Sequence, residues 1–195
     1  SKGIAIVHQE FTLMSDMNGV ENIFVGRYEK KHGFIDWKAL DRRAQELMDF
    51  LQCEVNLHVA VKNLRTAERQ IIQLAKALLE NPEIIIFDEL TAVLQEKDIQ
   101  NIFRIIGILK EKGIGIIYIS HRMEEIFEIC DHVSVFRDGT YVGERSMEGV
   151  TRDELISMMV GRKVENVFPK TDCEIGDVVF KVEGLSGKGF EDISF

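Results

Sequence analysis

Four apolar residues, Ile84-Ile85-Ile86-Phe87, run without a break into two carboxylates, Asp88 and Glu89. A run of that length fits a strand buried in a parallel sheet, where both faces are covered and polar residues do not alternate. Ligands of open α/β sheets gather at the carboxyl ends of the strands, so both acids are expected at such an edge. A strand ending in two solvated acids is common and by itself carries no function. The surroundings make the pattern more specific. Ile4-Ala5-Ile6-Val7 leads to Gln9, and Gly115–Ile119 leads through Ser120 to His121.

Between these runs the period becomes helical. Leu40, Ala44, Leu47, Met48 and Leu51 repeat at helix spacing within a largely helical stretch from about 20 to 52, interrupted by a loop around His32-Gly33-Phe34. Helices are predicted over Ala67–Glu80, ended by Asn81-Pro82, and over Glu96–Lys112, ended by Gly113. A helix over Glu124–Ile129 precedes two strands, Val133–Phe136 and Tyr141–Gly143, joined by an Asp138-Gly139 turn. Thr151 and Glu154 form the capping-box pattern of a last short helix. Alternating strands and helices make the class α/β.

At 195 residues the chain is long enough for one domain with a sizeable core. A formal charge of −9 argues against a nucleic-acid binder. Cys53, Cys130 and Cys173 have no metal-ligand spacing and read as free thiols. No apolar run approaches the roughly 20 residues that span a bilayer. A membrane role would therefore act through a partner.

Taken in order, Gln9, the stretch Leu64-Arg65-Thr66-Ala67-Glu68, the Asp88-Glu89 pair and His121 resemble the Q-loop, signature motif, Walker B and H-loop of ABC transporter ATPases. Val7-His8-Gln9-Glu10, Glu21-Asn22-Ile23-Phe24, Leu74–Leu78 and Ile119–Ile126 are similar to the tandem ATP-binding subunits of bacterial sugar importers of the ribose, galactose and xylose type. The resemblance implies a partial P-loop NTPase-like core with an inserted helical subdomain. It implies Asp88 and Gln9 as Mg²⁺ ligands, Glu89 as the base acting on the attacking water, and His121 as the γ-phosphate switch. Leu64 to Glu68 would meet the ATP of an opposing nucleotide-binding domain at a helix N-terminus. A membrane permease would be the direct partner and a periplasmic sugar-binding protein an indirect one, which puts the protein peripherally on the cytoplasmic face of the inner membrane. Phe11, Leu13, Met14 and Met17 would be either part of the permease-facing surface or core.

Departures from the family pattern are specific. No G-x-x-x-x-G-K-[ST] loop occurs. Gly184–Gly189 has the wrong glycine spacing and reads as a turn between strands Val178–Glu183 and Ile193–Phe195. Arg65 stands where the family has serine, Leu90 where it has proline, and Gln95 where many members have aspartate. Leu90 is expected to loosen the loop after the acids. The pattern reads as a fragment: a partial first nucleotide-binding domain over 1–161, a linker over 162–176, and the opening strands of a second such domain over 177–195. The leading expectation is part of an ATP-hydrolysing subunit that energises sugar import. The alternatives are a degenerate, non-catalytic docking module and a GTPase or other P-loop enzyme, against which the helical insertion and signature helix argue.

Overall fold

A computed structural model describes residues 3–28, 30–31, 33–161 and 179–195. The expected linker lies wholly outside them, Cys173 included, as does Val178. Three parallel strands form the central sheet in the order β1 (Ile4–Val7), β4 (Ile84–Asp88), β5 (Gly115–Ile119). They are in tight register: Val7 lies beside Phe87, Phe87 beside Tyr118, and Asp88 beside Ile119.

The insertion between β1 and β4 is mostly helical. It comprises α1 (Gly19–Phe24), a short hairpin of β2 (Lys30–Lys31) and β3 (Phe34–Ile35), α2 (Trp37–Leu51) and α3 (Thr66–Leu78). The predicted stripe on α2 is the buried one, with Leu40, Ala44, Met48 and Leu51 in the core. Asn18 and Glu21 cap α1 reciprocally, each side chain accepting the other's backbone N–H. Gly19 allows the chain to approach Leu57 closely; a Cβ there would lie 3.0 Å from the Leu57 Cα.

Helix α4 (Glu96–Glu111) ends at Gly113, whose φ of +80° suits the predicted cap. After β5 come α5 (Met123–Ile129), the hairpin β6 (His132–Arg137) and β7 (Thr140–Ser146), and α6 (Arg152–Val160). Asp138 and Gly139 both have positive φ, as a tight hairpin turn requires. Thr151 caps α6, but only half of the expected box forms, because Glu154 is engaged by Arg145 at 2.7 Å. A last hairpin pairs β8 (Leu185–Gly187) with β9 (Phe190–Ile193). The strands thus enter the stretch expected to be a turn and leave only Lys188-Gly189 to reverse the chain. The outer pair, Val182 with Phe195, does form.

The central sheet departs from the expectation of strands covered on both sides. Ala5, Val7, Ile85 and Phe87 are buried on one face. On the other, Ile4, Ile6, Ile117 and Ile119 are each close to half exposed, and Ile84 and Ile86 are only partly covered. Beside this face a cavity of about 1010 Å³ separates β5 from β6, lined by Ile117, Ile119, Val133 and Val135. Parallel sheets with a bare apolar face are unstable in water. The chain alone is therefore expected to self-associate in sedimentation velocity, and combined Ile6→Thr, Ile117→Thr and Ile119→Thr substitutions should shift it toward monomer. A second expectation concerns Asn22, whose buried amide accepts from Met14 N at 2.7 Å and donates to the Met14, Met17 and Asn18 carbonyls. Asn22→Leu leaves these groups unpaired and should cost about 2–4 kcal/mol in urea unfolding.

Candidate functional site

Because β1, β4 and β5 are parallel and in register, their carboxyl ends open on one edge. Gln9, Asp88, Glu89 and His121 all follow from that edge. Glu89 has a φ of +46°, a left-handed conformation that costs a side-chain-bearing residue roughly 1–2 kcal/mol. Its N–H donates to the Ile119 carbonyl at 3.0 Å, which fixes the turn against β5. The turn sends the carboxylate across to the next loop, where Glu89 Oε1 lies 3.0 Å from His121 Nδ1. The pair is open to solvent, the imidazole more than the carboxylate.

Leu90 does not loosen this loop. Its side chain is fully buried and its carbonyl accepts from Gln70 Nε2 at 3.4 Å. Gln73 Nε2 likewise donates to the His8 carbonyl at 3.2 Å, beside Gln9. Helix α3 thus touches two of the three loops at the edge. The Gln70 and Gln73 Oε1 atoms are buried with no partner among the described residues.

The signature stretch opens this same helix. Leu64 and Ala67 are buried; Arg65 is exposed. Glu68 Oε2 reaches back to the Arg65 N–H at 2.8 Å, which is one half of a capping box. A guanidinium has no acceptor, so Arg65 cannot return the second bond. It turns onto Glu68 instead, with Nε 3.4 Å from the carboxylate. That hydrogen bond and charge raise the Arg65 pKa above its ordinary value. Partial burial opposes ionisation of Glu68, but the Arg65 N–H and guanidinium outweigh it and lower the Glu68 pKa.

The structure therefore brings Glu89 and His121 into contact, sets Asp88 and Gln9 on their edge, and leaves residues 64–68 at the entrance of α3, which is linked to that edge through Gln70 and Gln73. Of the apolar residues after Gln9, Leu13 packs on the core, Phe11 lies under the Arg69 guanidinium, and Met14 is half exposed. The sequence reading missed Glu125, a fully buried carboxylate behind the two loops. Its neighbour Glu124 has the same sequence character, and only the α5 helix phase separates them.

Among the described residues no three His, Cys, Asp or Glu side chains gather as a metal cage. Asp88 alone still suits Mg²⁺, which keeps several waters and takes one or two carboxylates with substrate phosphates. The residues present do not fit a complete triphosphate cradle, since the sequence has no P-loop. No described helix is long and apolar enough to cross a membrane. Cys53 and Cys130 are free thiols, as expected.

Residues 1–92 match the ABC transporter family. The chain is 46% identical over 195 residues to a ribose/galactose/methyl galactoside import ATP-binding protein of Agrobacterium fabrum, covering 99% of the chain and 38% of that protein. A counterpart from Hahella chejuensis is 45% identical over the same shares. The chain thus spans well under half the length of these relatives. Among solved structures, a dimeric ATP-binding cassette in a post-hydrolysis state with ADP and Pi superposes with a TM-score of 0.63 at 22% identity, covering 75% of this chain and 64% of that one. The ADP conformation of another ABC transporter cassette gives 0.64 at 21% identity, over 82% and 69%. These two likenesses establish an ABC ATPase fold. The match to the ABC transporter family thus lies in residues 1–92, and the similarity to the sugar-import ATP-binding proteins runs along nearly the whole chain.

Proposed function

We propose that this chain supplies the water-activating part of an ATP-hydrolysing cassette that drives sugar import through a membrane permease. The observation that carries the reading is the 3.0 Å contact between Glu89 Oε1 and His121 Nδ1, made through a left-handed glutamate backbone at the carboxyl edge of a parallel sheet. Glu89 takes a proton of a water as its oxygen attacks the γ-phosphorus of ATP, and the bond from that phosphorus to the β-phosphate oxygen breaks as ADP leaves. His121 fixes the direction of that carboxylate through its Nδ1. Asp88 and Gln9 would hold Mg²⁺, which when bound neutralises phosphate charge. Residues 64–68 would face the ATP of an opposing nucleotide-binding domain. The sugar-binding protein would act only indirectly, and the setting would be the cytoplasmic face of the inner membrane. The names of the relatives support the sugar-import part of the proposal.

A second reading, a docking module without catalysis, is favoured by Arg65. Its guanidinium occupies the helix entrance with a side chain too large for close phosphate approach. Turnover separates the two readings.

Without a P-loop the chain is expected to show no micromolar ATP affinity by calorimetry. With an upstream segment carrying a G-x-x-x-x-G-K-[ST] loop supplied, ATPase activity should appear. Glu89→Gln should then lower it by ~10²-fold or more while nucleotide binding persists. Equal turnover in mutant and parent would remove Glu89 from the role. Arg65→Ser restores the missing capping bond, so it should raise the melting temperature of the chain by roughly 2–4 °C. In the completed cassette it should raise turnover with little change in nucleotide affinity. Reduced turnover would instead make Arg65 a working phosphate ligand.

A further inference from the structure

Glu125 lies on α5 with a side chain only 3% exposed. A carboxylate removed from water is tolerated only when its lone pairs are filled. Thr91 Oγ1 lies 2.8 Å from each Glu125 oxygen. Tyr118 OH donates at 2.7 Å and Ser120 Oγ at 3.0 Å. Arg122 Nη1 completes the set at 2.7 Å. Burial and this carboxylate together hold the Tyr118 hydroxyl in its protonated, donating form.

The donors come from the segments that carry the site. Thr91 is two residues beyond Glu89. Ser120 immediately precedes His121, and its Oγ also accepts the Arg122 N–H at 3.0 Å, closing a turn around the histidine. We propose that Glu125 is the positioning residue for the Glu89–His121 contact: one buried carboxylate ties the loop after Glu89 to the loop that holds His121. Glu125 exchanges no proton with substrate and touches neither reacting group. If either tie is released, the backbone bond from Glu89 to Ile119 still joins the two loops, but the side chains beyond it lose their shared anchor, and among the described residues the exposed imidazole has no other side-chain partner than Glu89. The consequence for hydrolysis rests on the function proposed above.

The test is imidazole ¹H–¹⁵N correlation on the full chain with ¹⁵N-labelled histidine. A His121→Gln spectrum identifies the His121 signals. Facing an acceptor carboxylate, His121 should be mainly the Nδ1–H tautomer. Glu125→Gln, which keeps the shape and loses the charge that holds Arg122, should make that tautomer the minority form. Thr91→Val should do the same, and Thr91→Ser should retain the parent signature. Leu40→Ala, in the distant helix α2, should lower the melting temperature and leave the tautomer unchanged. A folded Glu125→Gln chain with the parent signature would overturn the proposal. So would an equal change in Leu40→Ala, or a parent chain in which the Nε2–H form dominates. If Glu125→Gln does not fold, the Thr91→Val and Thr91→Ser pair decides. The hydrolase reading fails separately, by absent turnover in a completed cassette whose His121 signature is intact.

Discussion

The site depends on the register of three short parallel strands. Val7, Phe87 and Tyr118 are neighbours across the sheet, so the next residues of all three strands leave at one level. A slip of one residue on β4 would turn Asp88 to the other face and move Ile85 and Phe87 out of the core. The apolar face of the sheet and the polar edge are therefore set by the same alignment. The left-handed turn at Glu89 is tolerable because both sides of it are anchored, the N–H on Ile119 and the following Leu90 in the core.

Much of this was legible in the sequence because it rests on local rules. The β4 run, the α2 stripe, Gly113 and Asp138-Gly139 each follow from period or turn chemistry. The candidate residues Gln9, Asp88, Glu89 and His121 could be placed because each follows a strand or its loop. Other features depend on contacts distant in sequence. Leu90 looked like a loosened turn because the missing proline is visible in the chain and the core that receives leucine is not. Glu154 fits a capping box by spacing, yet Arg145 from the neighbouring strand takes its carboxylate. Glu125 cannot be told from Glu124 without knowing which side of a two-turn helix meets the sheet.

Helix α3 adds a mechanical link between regions usually discussed apart. Its first residues carry the signature stretch, and its next two turns hold the His8 and Leu90 carbonyls through Gln73 and Gln70. A rigid helix transmits displacement along its length better than a loop does. Arg65 stands at the N-cap of the helix that holds both carbonyls, though it touches neither Glu89 nor His121.

The bare face of the central sheet has a thermodynamic meaning beyond solubility. Each half-exposed isoleucine on it has roughly 1 kcal/mol of burial still to gain. Any polypeptide that covers Ile4, Ile6, Ile117 and Ile119 would stabilise the strands whose ends carry Asp88, Glu89 and His121. Folding and site assembly would then be linked equilibria, with the population of a competent edge set by how well the opposite side of the same strands is covered. A weakly covered sheet would lower the fraction of chains in which Glu89 and His121 meet without any change in a side chain of the edge, and the loss would follow the occupancy of the hydrophobic face.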